Sequence, residues 1–397
     1  MMYLTPHRTI CRTLALIAFI TVLVITSTRL NADTGTCGGT SITLPFTDVP
    51  SSNVFFCAIA EALVSGLANG TTATTYSPSA NVPREQMAAF VTRTLDQSVK
   101  RASNRAALNQ WATPSFIPES ALTDVGGPQF LAADGADLWV ANGADNTVLR
   151  VRASDGRLLE TWTGATAATG VLVAGGLIFV TGATIPGSLY TIDPRQPPGP
   201  VTTLTSALGN STQGITTDGT FIWTANPLNS SVSRVNPTTG AVTNFTTNIS
   251  SPIGMLYDGA NIWETDAGSS SLKKLNPDGS VAQTVAVGSN PLIPIFDGTN
   301  IWVPNESSNS VTVVRAATGA VLATLTGNGL GGPTTAAFDG QRILITNQSG
   351  NSVSLWKATD LTPLGAVSTG ANTHPFGACS DGVSFWITLG SGKLARF

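Results

Sequence analysis

The chain has 397 residues, of which 11% are charged and 42% hydrophobic, with 40 Gly, 23 Pro and a formal net charge of −3. A charged fraction less than half the ~25% of an ordinary globular domain excludes a charge-rich disordered chain. With 20 Lys plus Arg against 23 Asp plus Glu there is no basic footprint for nucleic acid. Regular Gly and Pro punctuation points to many short strands joined by turns.

At the N-terminus, His7, Arg8 and Arg12 precede an apolar run over residues 14–25 and a small-residue exit at Leu30, Asn31 and Ala32. This is the pattern of a secretory signal peptide over residues 1–32. The run is shorter than the ~20 residues that span a bilayer, so no membrane span is expected after cleavage. Cys11 falls in this leader. Of the rest, Cys37 and Cys57 flank a short segment and are expected to bridge in an oxidising compartment. Cys379 is expected to be a small buried residue on an inner strand. No cysteine spacing is that of a zinc site, and there is no dinucleotide fingerprint, Walker loop or nucleophile elbow. Neither metal nor cofactor is expected.

Residues 37–98 hold the convincing helical material. Phe56, Ile59, Ala60 and Leu63 predict a helix over residues 55–67, and Met87, Phe90 and Val91 a second over 87–95. The loop Gly66-Leu67-Ala68-Asn69-Gly70 ends the first helix. Phe46-Thr47-Asp48-Val49, Ala58-Ile59-Ala60-Glu61-Ala62-Leu63, that loop, Tyr76-Ser77-Pro78 and Arg84-Glu85-Gln86-Met87-Ala88-Ala89-Phe90 together resemble the S-layer homology module of bacterial surface proteins. The resemblance implies non-covalent attachment to cell-wall or envelope polysaccharide. Carried over by position, Asp48 and Arg84 match the motif's polar residues, and Gly66 its loop glycine. Two departures stand out. Pro83 replaces the Thr whose hydroxyl would cap the second helix, and one module is present where the family tends to use three. Residues 99–114 read as a linker, with Lys100, Arg101 and Arg105 on a solvated face and Pro114 and Pro118 at its exit.

The remainder, residues 115–397, is a repeat. An Asp-Gly pair recurs at Asp134, Asp218, Asp258, Asp297, Asp339 and Asp381, with a degenerate copy at Ala174-Gly175. Successive starts are 40, 44, 40, 39, 42 and 42 residues apart. Five residues after each start stands a large apolar residue: Trp139, Phe179, Trp223, Trp263, Trp302, Leu344 and Trp386. Eight after, Asn142, Asn226, Asp266, Asn305 and Asn347 recur. A second turn follows near twenty-one, as at Asp155-Gly156 or Thr318-Gly319. Asp-Gly and Thr-Gly suit tight antiparallel turns, so each unit reads as four strands. A ~40-residue period of four strands predicts a mainly β fold, a seven-bladed β-propeller preceded by the small helical module. The seventh unit stops after three strands, so the segment around residues 115–125 is expected to supply the fourth and close the ring.

Through Asp-Gly-x-x-Ile-Trp-Val-x-Asn and Asn-Ser-Val elements the repeats resemble secreted propellers of the YVTN, NHL and streptogramin-lyase-like group. In the lyases, activity uses histidines with a carboxylate and a metal. Beyond the leader this chain has one histidine, His374, which cannot form a histidine acid–base pair alone. Candidate upper-face residues are therefore Asn142, Asn226, Asn305 and Asn347 at the turns between second and third strands, Glu264 and Asp266 as a carboxylate pair in surface and turn roles, and His374 at the channel mouth. The Trp row is assigned to packing between blades. The expected function is a secreted or cell-surface, non-enzymatic protein. Its module would bind envelope polysaccharide while the propeller face meets a protein or ligand. The alternative is a lyase-like or hydrolytic enzyme working at the upper mouth.

Overall fold

The structure is a computed structural model that describes residues 33–84, 86–91, 94, 119–123 and 126–397. Seven four-stranded antiparallel sheets form a seven-bladed β-propeller, as the repeat arithmetic predicts. Within six of the blades the strands run from the inside outward in chain order. In the first these are Pro128–Ala133, Asp137–Asn142, Thr147–Arg152 and Leu158–Thr163. The seventh has Pro375–Ser380, Phe385–Leu389 and Lys393–Arg396. Its outer strand is Glu119–Thr123, from the expected segment, paired antiparallel as Glu119↔Arg396, Ser120↔Ala395, Leu122↔Leu394 and Thr123↔Lys393. The ring therefore closes by hydrogen bonds between segments far apart in sequence, and no blade edge is left open at the seam.

The repeat spacing has a physical cause. Gly at φ of +86 to +99° lets each Asp-Gly turn close, a conformation that suits glycine. The Asp carboxylate then does two jobs. In the third blade Asp218 Oδ1 accepts the N–H groups of Thr220 and Phe221, and Oδ2 accepts Trp223 Nε1–H at 2.8 Å. The same Trp Nε1–Asp bond recurs at Trp139–Asp134, Trp263–Asp258, Trp302–Asp297 and Trp386–Asp381. These five indoles are at most 1% exposed, and the bond satisfies the one polar atom each would otherwise bury bare. Two blades lack the bond, and only one of them has lost the Asp as well as the Trp. The second blade has Ala174 with Phe179, and in the sixth, with Leu344, Arg342 Nε takes Asp339 Oδ2 instead.

Cross-strand register places a cation opposite four of these indoles: Arg150, Arg234, Lys274 and Arg396 face Trp139, Trp223, Trp263 and Trp386. Each sits 5.3–5.8 Å from its ring centroid. Opposite Trp302 in the fifth blade stands Val313. The N-terminal residues cover that blade. They comprise a hairpin, Thr34–Cys37 with Thr40–Thr43, and a helix, Phe56–Val64, shorter than the predicted 55–67; residues 84, 86–91 and 94 are helical as well. Ile42, Leu44, Phe46, Phe56, Ile59 and Leu63 share one hydrophobic core with Trp302, Val313, Leu322, Leu325, Ile343 and Trp356. Asn300 Nδ2 donates to Val64 O at 2.8 Å and Thr40 Oγ1 to Leu361 O at 3.2 Å. The N-terminal residues are thus packed on the fifth and sixth blades, within one compact unit spanning residues 32–397.

Candidate functional site

The expected upper-face row is built differently from its sequence reading. Asn142, Asn226, Asn305 and Asn347 are the last residues of their second strands and are at most 2% exposed. Asn226 Nδ2 donates to Ser231 Oγ (3.2 Å) and Ser233 Oγ (2.8 Å). Asn305 does the same to Ser310 and Thr312, and Asn347 to Ser352 and Ser354. Asn142 bonds Asp145 and Thr147. These amides clamp the second strand to the third and offer no exposed contact surface.

Glu264 and Asp266, expected in surface roles, are both 0% exposed. They lie two apart on the strand Ile262–Asp266, and so on one face of it. The partner that sequence reasoning missed is Lys273, 5% exposed, on the adjacent strand Ser271–Leu275. Its Nζ touches Asp266 Oδ2, donates to Asn248 O at 2.7 Å and lies 3.9 Å from Glu264 Oε1. Asp266 also accepts the N–H groups of Ser250 (2.8 Å), Ser251 (3.1 Å) and Ser269 (3.0 Å). Burial drives its carboxyl up, but Lys273 and these N–H groups outweigh that and hold its pKa below the ordinary carboxylate value. Glu264 differs, because neither carboxylate oxygen has a hydrogen-bond partner. Burial, with Asp266 beside it and Lys273 opposing, pushes it up to about 8. The signal in sequence was a broken row. Ser233, Thr312 and Ser354 stand where this blade has Lys273, and five blades carry Val or Ile where it has Glu264.

His374 is exposed, at φ 44°, at the start of the seventh blade's inner strand. Its N–H donates to Asn351 Oδ1 at 3.0 Å and its carbonyl accepts Gly390 N–H. Beside it on inner strands, Phe376 meets Phe130 with ring centroids 4.9 Å apart. Further in, side-chain hydroxyls join neighbouring blades. Thr181, Thr265, Thr346 and Thr388, each two residues after the packed aromatic or Leu344, donate to the carbonyls of Gln213, Leu292, Phe376 and Gln129 on the next blade. In the first, third and fifth blades Ala141, Ala225 and Pro304 stand at that place. After the third and fifth, backbone bonds do the same job: Gly214 N–H to Ile253 O and Ile293 N–H to Thr334 O. Cys379, on the inner strand Pro375–Ser380, is partly buried, and desolvation raises its thiol pKa.

In the N-terminal part Cys37 and Cys57 form a disulfide that ties hairpin to helix. Asp48 accepts the N–H groups of Tyr76 (2.8 Å) and Ser77 (2.7 Å), pinning the returning loop. Gly66, at φ +77°, ends the helix Phe56–Val64 and lines a cleft of about 310 Å³ with Asn69, Asn261, Phe296, Thr299 and Arg315. Arg84 is exposed. Among the described residues no three His, Cys, Asp or Glu side chains gather to hold a metal, and no helix is long and apolar enough to cross a membrane.

Residues 131–268 match a family described as a repeat of unknown function, DUF6923. No curated protein is similar enough to match. Among solved structures, virginiamycin B lyase from Staphylococcus aureus is similar at 13% identity and TM-score 0.60, covering 69% of this chain and 97% of that one. A streptogramin B lyase matches at 16% identity and TM-score 0.59, covering 71% and 96%. Hydrazine synthase of Kuenenia stuttgartiensis matches at 18% identity and TM-score 0.59, covering 71% and 99%. At these identities the likeness is one of fold, and activity does not follow from it.

Proposed function

We propose that this is an exported, non-enzymatic protein of the cell surface, whose N-terminal module attaches to envelope polysaccharide while the propeller presents its upper mouth to a partner. The observation that carries the reading is where the module packs. Its contacts at Asn300 and Leu361 lie by the Asp-Gly turn and by the turn joining third and fourth strands, at the opposite end of the blades from His374 and the Asn row. A chain held through that module would turn the mouth outward. The leader-like N-terminus and the Cys37–Cys57 disulfide support export, because such bridges persist in oxidising compartments. Arg84 is the exposed cation through which the module would meet an anionic or hydroxyl-rich glycan. The full chain is expected to sediment with purified cell-wall polysaccharide, and Arg84→Ala to weaken this about tenfold, the equivalent of ~1.4 kcal/mol. An intact chain that stays in the supernatant at every polysaccharide concentration would overturn the attachment.

A further inference from the structure

The cluster in the fourth blade has the parts of a self-condensing site, and we propose that Lys273 and Asp266 join in an intramolecular amide bond, with Glu264 relaying the protons. Three features of the geometry support it. First, amine and carboxyl are held against each other, since Lys273 Nζ meets Asp266 Oδ2, the oxygen next to the carbon to be attacked, while both side chains are shut away from water. Such fixed proximity turns a reaction between two groups into a unimolecular step. Second, the Asp266 carboxyl is polarised: Ser251 and Ser269 N–H groups point at Oδ1, where negative charge develops when nitrogen adds to Cγ. Third, Glu264 lies 3.9 Å from the nitrogen, its two oxygens unclaimed by any hydrogen bond, amid the apolar residues Met255 and Ile262. A buried polar group with no partner calls for an explanation other than stability.

The reaction balances without an outside reagent. The ammonium proton passes to Asp266, giving a minor state with a neutral amine and a carboxylic acid; burial helps this transfer by removing both charges, against the N–H groups that favour the carboxylate. The amine lone pair then forms the N–Cγ bond. Glu264, neutral at this depth, accepts a proton from the nitrogen on one oxygen and gives one from the other to the departing Asp266 Oδ2. The Cγ–Oδ2 bond breaks and water leaves. One ammonium and one carboxylate become one amide and one water, and Glu264 ends as it began. The new N–H remains directed at Asn248 O, which already accepts from this nitrogen. No other blade has the set. At the same three places the third blade has Thr224, Asn226 and Ser233, and the fifth Val303, Asn305 and Thr312, none of which supplies an amine.

Peptide mapping of the purified full chain tests the bond. Trypsin is expected not to cut after Lys273, and the fragment of residues 235–274 to weigh one water less than its sequence. In Lys273→Arg cleavage after residue 273 returns and the mass deficit disappears. In Glu264→Gln, which keeps the buried ion pair, the deficit is expected to be lost or to accumulate only slowly after refolding. Normal cleavage at Lys273 with a full-mass fragment in the folded wild-type chain overturns the bond. A deficit that forms as fast in Glu264→Gln as in wild type overturns the relay.

Discussion

Glu264 is a carboxyl buried without a hydrogen-bond partner, and its titration is open to measurement. Its folded-state pKa is raised to about 8 from an ordinary 4.5. Between those values the native state keeps a proton that the unfolded chain has released, so stability falls as pH rises from about 4.5 to 8 and levels off above. Glu264→Gln cannot titrate there. Its midpoint in urea is therefore expected to fall less steeply with pH than that of the wild type, and parallel curves would show that Glu264 is not the group responsible. Residue types were legible in the sequence, and their surroundings less so. The Asn row was visible as a period but was read as turn-forming, because Asn favours turns. The register Asn226↔Ser231 makes it a strand end with its amide turned inward. The Trp row and its packing role followed from spacing alone. The Asp–Trp hydrogen bond did not, although the paired loss at Ala174 and Phe179 carried its trace.

At the scale of the strand, the hydroxyl links between inner strands decide how firmly each blade holds the next. Thr388 Oγ1 accepts Gly377 N–H at 2.8 Å within its own blade and donates to Gln129 O at 2.6 Å across the closing seam. Thr388→Val keeps the shape and strands both backbone groups, which should cost about 1–3 kcal/mol. Denaturant titration is the measure, and a loss below about 0.5 kcal/mol would mean that the seam does not depend on this link. The strands themselves were legible down to the split seventh blade, because turn chemistry and a ~40-residue period leave few alternatives. Which junctions are bridged by Thr and which by backbone was not. It depends on which inner strands approach closely enough for N–H to reach carbonyl directly, as Gly214 does.

For the molecule as a whole, the shared core makes the N-terminal part a structural component of the ring. Removing residues 33–98 would bare Trp302, Val313, Leu322 and Leu325, now at most 2% exposed, as one apolar patch. The truncated propeller is expected to melt several degrees lower and to aggregate in light scattering, and a monomer with the wild-type Tm would contradict the shared core. Sequence pattern showed the module's own apolar residues but not what they cover. The telling sign was on the other side, in Val313 opposite Trp302 where four blades place a cation. The closing blade has a temporal consequence as well. Because Glu119–Thr123 waits for Lys393–Arg396, the first strand of the propeller to be synthesised lacks a partner until the last one emerges. Closure of the ring is therefore the last pairing the chain can make, and it cannot precede completion of residues 393–396.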